Sequence, residues 1–155
     1  MTDFQRIIRP RIAVSRQLLP PIEARMAELF ECLFNEDDQP MAAEAMIASM
    51  QGCDVFVPTV TDTIDAALIG TMPASIKMIA NFGAGVNHID LAAAKARGII
   101  VTNTPGVFTD DTADLTMALI LNVPRSLGEG HRMMRSGGWQ GWSPTGMLGH
   151  RIGGK

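Results

Sequence analysis

The densest group of residues able to do chemistry is Gly83-Ala84-Gly85, with His88 three residues further on. Two glycines one residue apart expose backbone N–H groups. Adjacent N–H groups next to a helix start form a concavity that suits a small anion, a carboxylate or a phosphate. Gly83-Ala84-Gly85 also invites comparison with the G-x-G-x-x-G turn that holds a dinucleotide, but His88 stands where the third glycine belongs. An imidazole at that position prevents the close helix–strand packing that the last glycine allows. Two readings stay open on spacing alone. One is a tight strand-to-helix turn using glycine at positive φ, which the spacing favours; the other is an anion nest.

The remaining candidates divide between chemistry and plain structure. His88, His131 and His150 are too scattered for a metal set. A histidine beside a turn reads as a hydrogen-bonded structural residue, and its neighbour Asp90 reads as a helix N-cap rather than a partner for a general base. Cys32 and Cys53 form no CxxC pair and no disulfide framework; lying in or near apolar strand segments, they read as buried, inert thiols. Thr109, Asp110, Asp111 and Thr112 crowd a helix start, where side-chain oxygens cap and acidic charge suits the dipole. Trp139 and Trp142, set among glycines, read as anchors that order a loop.

Short apolar runs alternating with helical stretches must hold these residues in place, the pattern of an α/β domain with a parallel sheet. Strands are expected at Arg11–Ser15, Glu31–Phe34, Val55–Pro58, Lys77–Ala80 and Ile99–Thr102. Pro20 and Pro21 can open a helix carrying Ile22, Met26, Leu29 and Phe30 at helical spacing. Ala42–Met50 reads as a second helix closed by Gly52, and Thr61–Asp62 as the cap of a third that runs to Ile69. Asp90 caps a short helix stopped by Gly98. The sum is a flavodoxin-like, doubly wound sheet, whose ligands sit at the carboxyl ends of the strands, here the loops after Ala80 and Thr102. A different helix begins at Thr109 or Asp110. Its Leu115–Val123 stretch is apolar almost all round and is expected to be buried, and Pro124 is expected to end or kink it. A domain boundary is placed near Pro105–Thr109.

Composition bounds the function classes. The chain has 155 residues, 46% of them hydrophobic and 19% charged, enough for a real core. A net charge of −3 without a basic cluster argues against nucleic acid as a partner. The longest uncharged run, Ser136–His150, is too short and too broken by glycine to span a bilayer, so no membrane partner is expected. The opening residues MTDFQRIIRP carry no apolar leader, and a cytoplasmic setting is the expectation.

Taken in order, NFGAGVNHIDLAAAKARGIIVTNTPGVFTDDTADLTMALIL and GGWQGW resemble the D-isomer-specific 2-hydroxyacid dehydrogenases, in the glyoxylate/hydroxypyruvate reductase branch. The resemblance is strong over Lys77–Trp142 and rests on architecture alone before that. It implies a flavodoxin-like substrate domain over residues 1–105. It also implies that residues 106–155 form the interdomain helix and the start of an NAD(P)-binding Rossmann domain. It implies that the amides of Ala84 and Gly85 hold a substrate carboxylate, that Phe108 faces the cleft, and that Thr112 touches the nicotinamide end of NAD or NADP. The parent would reduce a small 2-oxo acid such as glyoxylate or hydroxypyruvate, and family members are usually homodimers. Asp114 replaces the usual glutamate, and Pro124 interrupts a helix that normally continues. The family's dinucleotide fingerprint, catalytic arginine, glutamate and general-acid histidine have no counterpart here. The expectation is an inactive chain in which Leu115–Val123, buried in the parent against the rest of the NAD(P)-binding domain, lacks this cover and drives self-association. The alternative is a stand-alone ligand-binding or interaction module, as in the corepressors of the same superfamily.

Overall fold

The computed structural model describes residues 9–154, so the reading of the opening residues as lacking a leader lies largely outside the described residues. The chain divides into two compact units between Val107 and Phe108.

In the first unit, β1 (Arg11–Val14), β2 (Glu31–Leu33), β3 (Val55–Val57), β4 (Met78–Ala80) and β5 (Ile100–Thr102) form one sheet. Every pairing is parallel, in the order β2-β1-β3-β4-β5. The helices between them are α1 (Pro20–Leu29), α2 (Ala43–Ser49), α3 (Ala66–Thr71) and α4 (Leu91–Ala96). The strands are three or four residues long, and both sheet faces are covered. Ala13, Phe56 and Ile79 point into one apolar cluster with Met46 and Met50, Leu68 and Ile69, and Ala94 from α2 to α4. Their neighbours Ile12, Val14 and Val57 point into a second cluster that packs with Met26 and Phe30 at α1. The alternation is the two-residue period of a strand buried on both faces. Beside α1 a groove of about 480 Å³, lined by Ile12, Val57, Met78 and Ala80 among others, runs along the second face.

The helix ends follow local chemistry. The α1 helix opens on Pro20 and Pro21 as expected, since no intrahelical N–H is lost there. The α4 helix is capped by Asp90, whose carboxylate accepts from the Ala93 N–H at 2.9 Å. One expectation is corrected. Thr61–Asp62 does not cap α3; Asp65 does, accepting from the Leu68 N–H at 2.8 Å, and the helix continues through Gly70 to Thr71. Asp62 is instead buried, 5% exposed, and accepts from Ser15 and Thr59, just after β1 and β3.

The second unit holds α5 (Thr109–Asn122) and α6 (Leu127–Arg135). The α5 helix starts and stops where the sequence indicates, before Pro124, but its N-cap is Phe108 and no side chain caps it; Asp110 and Asp111 serve its first turn only as charges. Its Leu115–Val123 stretch is not buried: Leu115, Met117 and Leu121 are all more than half exposed. An all-round apolar helix needs cover on several sides, and this unit supplies none. Trp139 and Trp142 are likewise exposed, at 54% and 85%, so the anchoring role expected of them is absent.

No helix among the described residues is long and apolar enough to cross a membrane.

Candidate functional site

Parallel strands deliver their following loops to one edge of the sheet. In this chain that edge carries a set of buried polar side chains: Ser15 after β1, Asn35 after β2, Asp62 after β3 and Asn81 after β4. Strand order reverses between β1 and β3, the position where open α/β sheets form ligand crevices. There the Asp62 carboxylate accepts from the Ser15 hydroxyl and from the Thr59 N–H at 2.7 Å. Arg16 lies beside it, donating to Asp38 at 2.9 Å and to the Thr61 hydroxyl at 3.1 Å. The Arg16 guanidinium, with help from the Gln17 N–H, holds the Asp38 carboxyl below the usual carboxylate range.

The loop after β4 is the better-built feature. Three successive carbonyls, those of Gly83, Ala84 and Gly85, are held by donors of the protein. The Gly83 carbonyl accepts from the Thr104 N–H at 3.0 Å and from Asn81 Nδ2 at 3.0 Å. The Ala84 carbonyl accepts from Asn103 Nδ2 at 2.7 Å, and the Gly85 carbonyl from Asn81 Nδ2 at 2.9 Å. In a trans peptide unit the C=O and the next N–H point in opposite directions. The Ala84 and Gly85 N–H groups are therefore directed away from those partners, and neither donates to any acceptor among the described residues. Two adjacent outward amides are the nest that the sequence left as one of two readings.

The two glycines have different reasons to be glycine. A Cβ on Gly83 would sit 2.5 Å from Val60 Cγ1 and 3.4 Å from Asn81 Nδ2, so packing excludes a side chain there. A Cβ on Gly85 would meet nothing within 4 Å. Neither glycine is at positive φ, which corrects the expectation that the turn uses them for that conformation. Gly85 is thus free of any packing or backbone demand, and it leaves open space beside an unpartnered amide.

His88 is the structural residue the sequence indicates. Its Nε2 lies 3.0 Å from Asn81 Oδ1, and its backbone carbonyl accepts from the Ile64 N–H at 2.8 Å. Since Asn81 offers an oxygen there, Nε2 carries the proton. Burial pushes the imidazole below its ordinary pKa, and the Asp62 charge only partly opposes this. Cys53 is fully buried as expected, whereas Cys32 is only half-buried; burial pushes both thiols up, which disfavours the reactive thiolate.

Ala84 and Gly85 thus come together in the first unit. Phe108 and Thr112 come together in the second, where the Thr112 hydroxyl donates to the Phe108 carbonyl at 2.8 Å. Phe108 is about half exposed. Sequence reasoning missed Asn81, Asn103 and Asp62. A polar residue directly after a buried strand and before a glycine is the signal that could have found Asn81, because a buried amide must have partners.

Gly83–His88 does not fit a dinucleotide: the third-glycine position is filled by an imidazole tied to Asn81, and the helix that follows is short.

Comparison with known proteins bears on the family and the fold. Residues 12–146 match the model of the D-isomer specific 2-hydroxyacid dehydrogenase catalytic domain. The chain is 35% identical to a glyoxylate reductase of Korarchaeum cryptofilum over 149 residues, 96% of this chain and 45% of the relative. The TT0316 protein from Thermus thermophilus superposes with a TM-score of 0.78 at 38% identity, over 90% of this chain and 44% of that one. An NADPH-dependent glyoxylate/hydroxypyruvate reductase from Sinorhizobium meliloti, solved with NADP and malonate, superposes with a TM-score of 0.73 at 33% identity, over 88% and 41%. The chain spans a little under half the length of the relatives it matches.

Proposed function

The chain belongs to the D-isomer specific 2-hydroxyacid dehydrogenase family, and from that premise we propose that it forms the substrate-holding part of an NAD(P)-dependent reductase of small 2-oxo acids such as glyoxylate or hydroxypyruvate. The Ala84 and Gly85 amides take the carboxylate. Two N–H donors to one carboxylate are charge-assisted hydrogen bonds, shorter and stronger than neutral ones. They hold the acid without committing its 2-oxo group, which stays free for reduction. The observation that carries this reading is the pair of outward, unpartnered amides beside the open space at Gly85.

In this reading residues 1–105 are the substrate domain, and residues 106–155 the interdomain helix and the start of the coenzyme domain. Phe108 faces the substrate and Thr112 the nicotinamide end of NAD or NADP. The cofactor supplies the hydride; the chain's own residues bind and orient the acid. The assembly is a cytoplasmic homodimer without nucleic acid as a partner.

The groups placed above bind and orient the acid and supply neither proton nor hydride, so the 155 residues by themselves are expected to be inactive. Incubation with glyoxylate or hydroxypyruvate and NADH or NADPH is expected to leave the NAD(P)H absorbance unchanged; turnover at the rate of an intact reductase contradicts this. Reading the coding sequence past Lys155 tests the larger claim. An in-frame apolar strand followed by G-x-G-x-x-G is expected, whereas a stop codon there favours a binding module.

A further inference from the structure

The nest depends on which way two peptide units face, and that is decided by groups outside it: the Thr104 N–H on the Gly83 carbonyl, and two asparagine side chains. Asn81 is 2% exposed, and both N–H bonds of its amide are used, one on the Gly83 carbonyl and one on the Gly85 carbonyl. Flipping the amide would set its oxygen against two carbonyl oxygens, so the orientation is unique. His88 secures it by donating to Asn81 Oδ1. Asn103, at the end of β5, holds the carbonyl between them, that of Ala84. Through trans geometry the bond to the Gly83 carbonyl turns the Ala84 N–H outward, and the bond to the Ala84 carbonyl turns the Gly85 N–H outward.

We propose that Asn81 and Asn103 are the positioning residues of this nest, fixing its two amides toward an anion before any ligand arrives, with His88 holding Asn81 in place. The proposal rests on the reading of Ala84 and Gly85 as a carboxylate site. Preorganised donors bind more tightly than donors that must be ordered on binding. Without the asparagine bonds the Ala84 and Gly85 carbonyls lose the partners given above, and the Gly83 carbonyl is left with the Thr104 N–H alone. Each binding event then carries that ordering cost.

The test uses the full 155-residue chain labelled with nitrogen-15, with oxamate, a small carboxylate analogue of a 2-oxo acid, as probe. Affinity is read from the Ala84 and Gly85 amide shifts, loop order from their heteronuclear NOE, and folding from the dispersion of the Phe56 and Ile79 amides. Asn103→Ala alters an exposed side chain, and Asn81→Asp keeps the shape while removing both donors. Each is expected to weaken oxamate about tenfold, the cost of one hydrogen bond's worth of order, and to lower the NOE at Ala84 or Gly85 with native dispersion. His88→Gln keeps a donor toward Asn81 and is expected to retain the affinity, whereas His88→Leu loses it.

Native dispersion with unchanged affinity and unchanged NOE in Asn103→Ala and Asn81→Asp overturns the proposal. If Asn81→Asp fails to fold, Asn103→Ala and the two His88 variants decide it by the same readouts. If the unaltered chain shows no oxamate shifts at Ala84 and Gly85, the carboxylate reading fails by itself. The NOE comparison between the unaltered chain and Asn103→Ala then still decides whether the asparagines position the loop.

Discussion

In the first unit Phe56, Ile64, Ile69 and Ile79 are fully buried. In the second, no described residue is buried, and Leu115, Met117, Leu119, Leu121 and Val123 are between 52% and 76% exposed. The two units draw on similar apolar side chains, so composition does not separate them. The difference is arrangement. Five parallel strands give the first unit two faces, each with an apolar cluster, and a sheet edge rigid enough to hold a loop to hydrogen-bond tolerance. Two helices alone give the second unit no interior. A helix exposing apolar side chains on more than one side marks a surface that binds something. A site built on rigid elements keeps its geometry, whereas an uncovered helix takes its place only when covered.

The largest expected effect tests that contrast in the cores. Phe56→Ala is expected to cost about 3–5 kcal/mol by denaturant unfolding, from lost burial plus the cavity. Leu121→Ala is expected to change stability by no more than about 0.5 kcal/mol. Equal costs would break the comparison by showing that Leu121 is packed. Leu121→Lys sharpens it further: sedimentation is expected to show self-association of the chain, reduced in this variant. A monodisperse monomer before substitution would remove the reason to call the α5 stripe sticky.

A smaller effect separates the two glycines within the first unit. Gly83→Ala is expected to destabilise by about 1 kcal/mol, because its methyl group meets the stiff Val60 side chain. Gly85→Ala is expected to leave stability unchanged or raise it by up to about 1 kcal/mol, through a less flexible unfolded chain, while weakening oxamate binding. The opposite order would mean that Gly85 serves packing after all.

The smallest effect is in pH. Burial holds the folded-state pKa of His88 below its ordinary 6.5. Between the folded and unfolded values the unfolded chain binds more protons, so stability rises with pH in that window. The His88 contribution is present above about pH 6.5 and is lost as pH falls through the folded value. His88→Gln is expected to flatten that part of the stability profile; an unchanged slope would mean the imidazole titrates normally.

Much of the fold was legible because its signals are local. Strand alternation, Pro20-Pro21, the Asp90 cap and the stop at Pro124 each depend on a few neighbouring residues, and each is found where read. The misreadings concern burial across the chain. Asp62 and Asp65 both precede the helical stretch, and no local pattern tells that Asp62 turns inward to Ser15 while Asp65 takes the cap. The α5 stripe states that it needs cover, not that the unit provides it. At the nest, the glycines were visible, but the peptide directions are set by Asn103, whose side chain reaches back to Ala84 from the end of another strand, and by Asn81, whose burial no local pattern announces.

The central claim, that the Ala84 and Gly85 amides hold a carboxylate, is tested most directly by titrating the nitrogen-15-labelled chain with oxamate. Saturable shifts largest at Ala84 and Gly85 are predicted, with the core amides of Phe56 and Ile79 unmoved. No saturable shift, or saturation centred elsewhere in the sheet, would contradict the account.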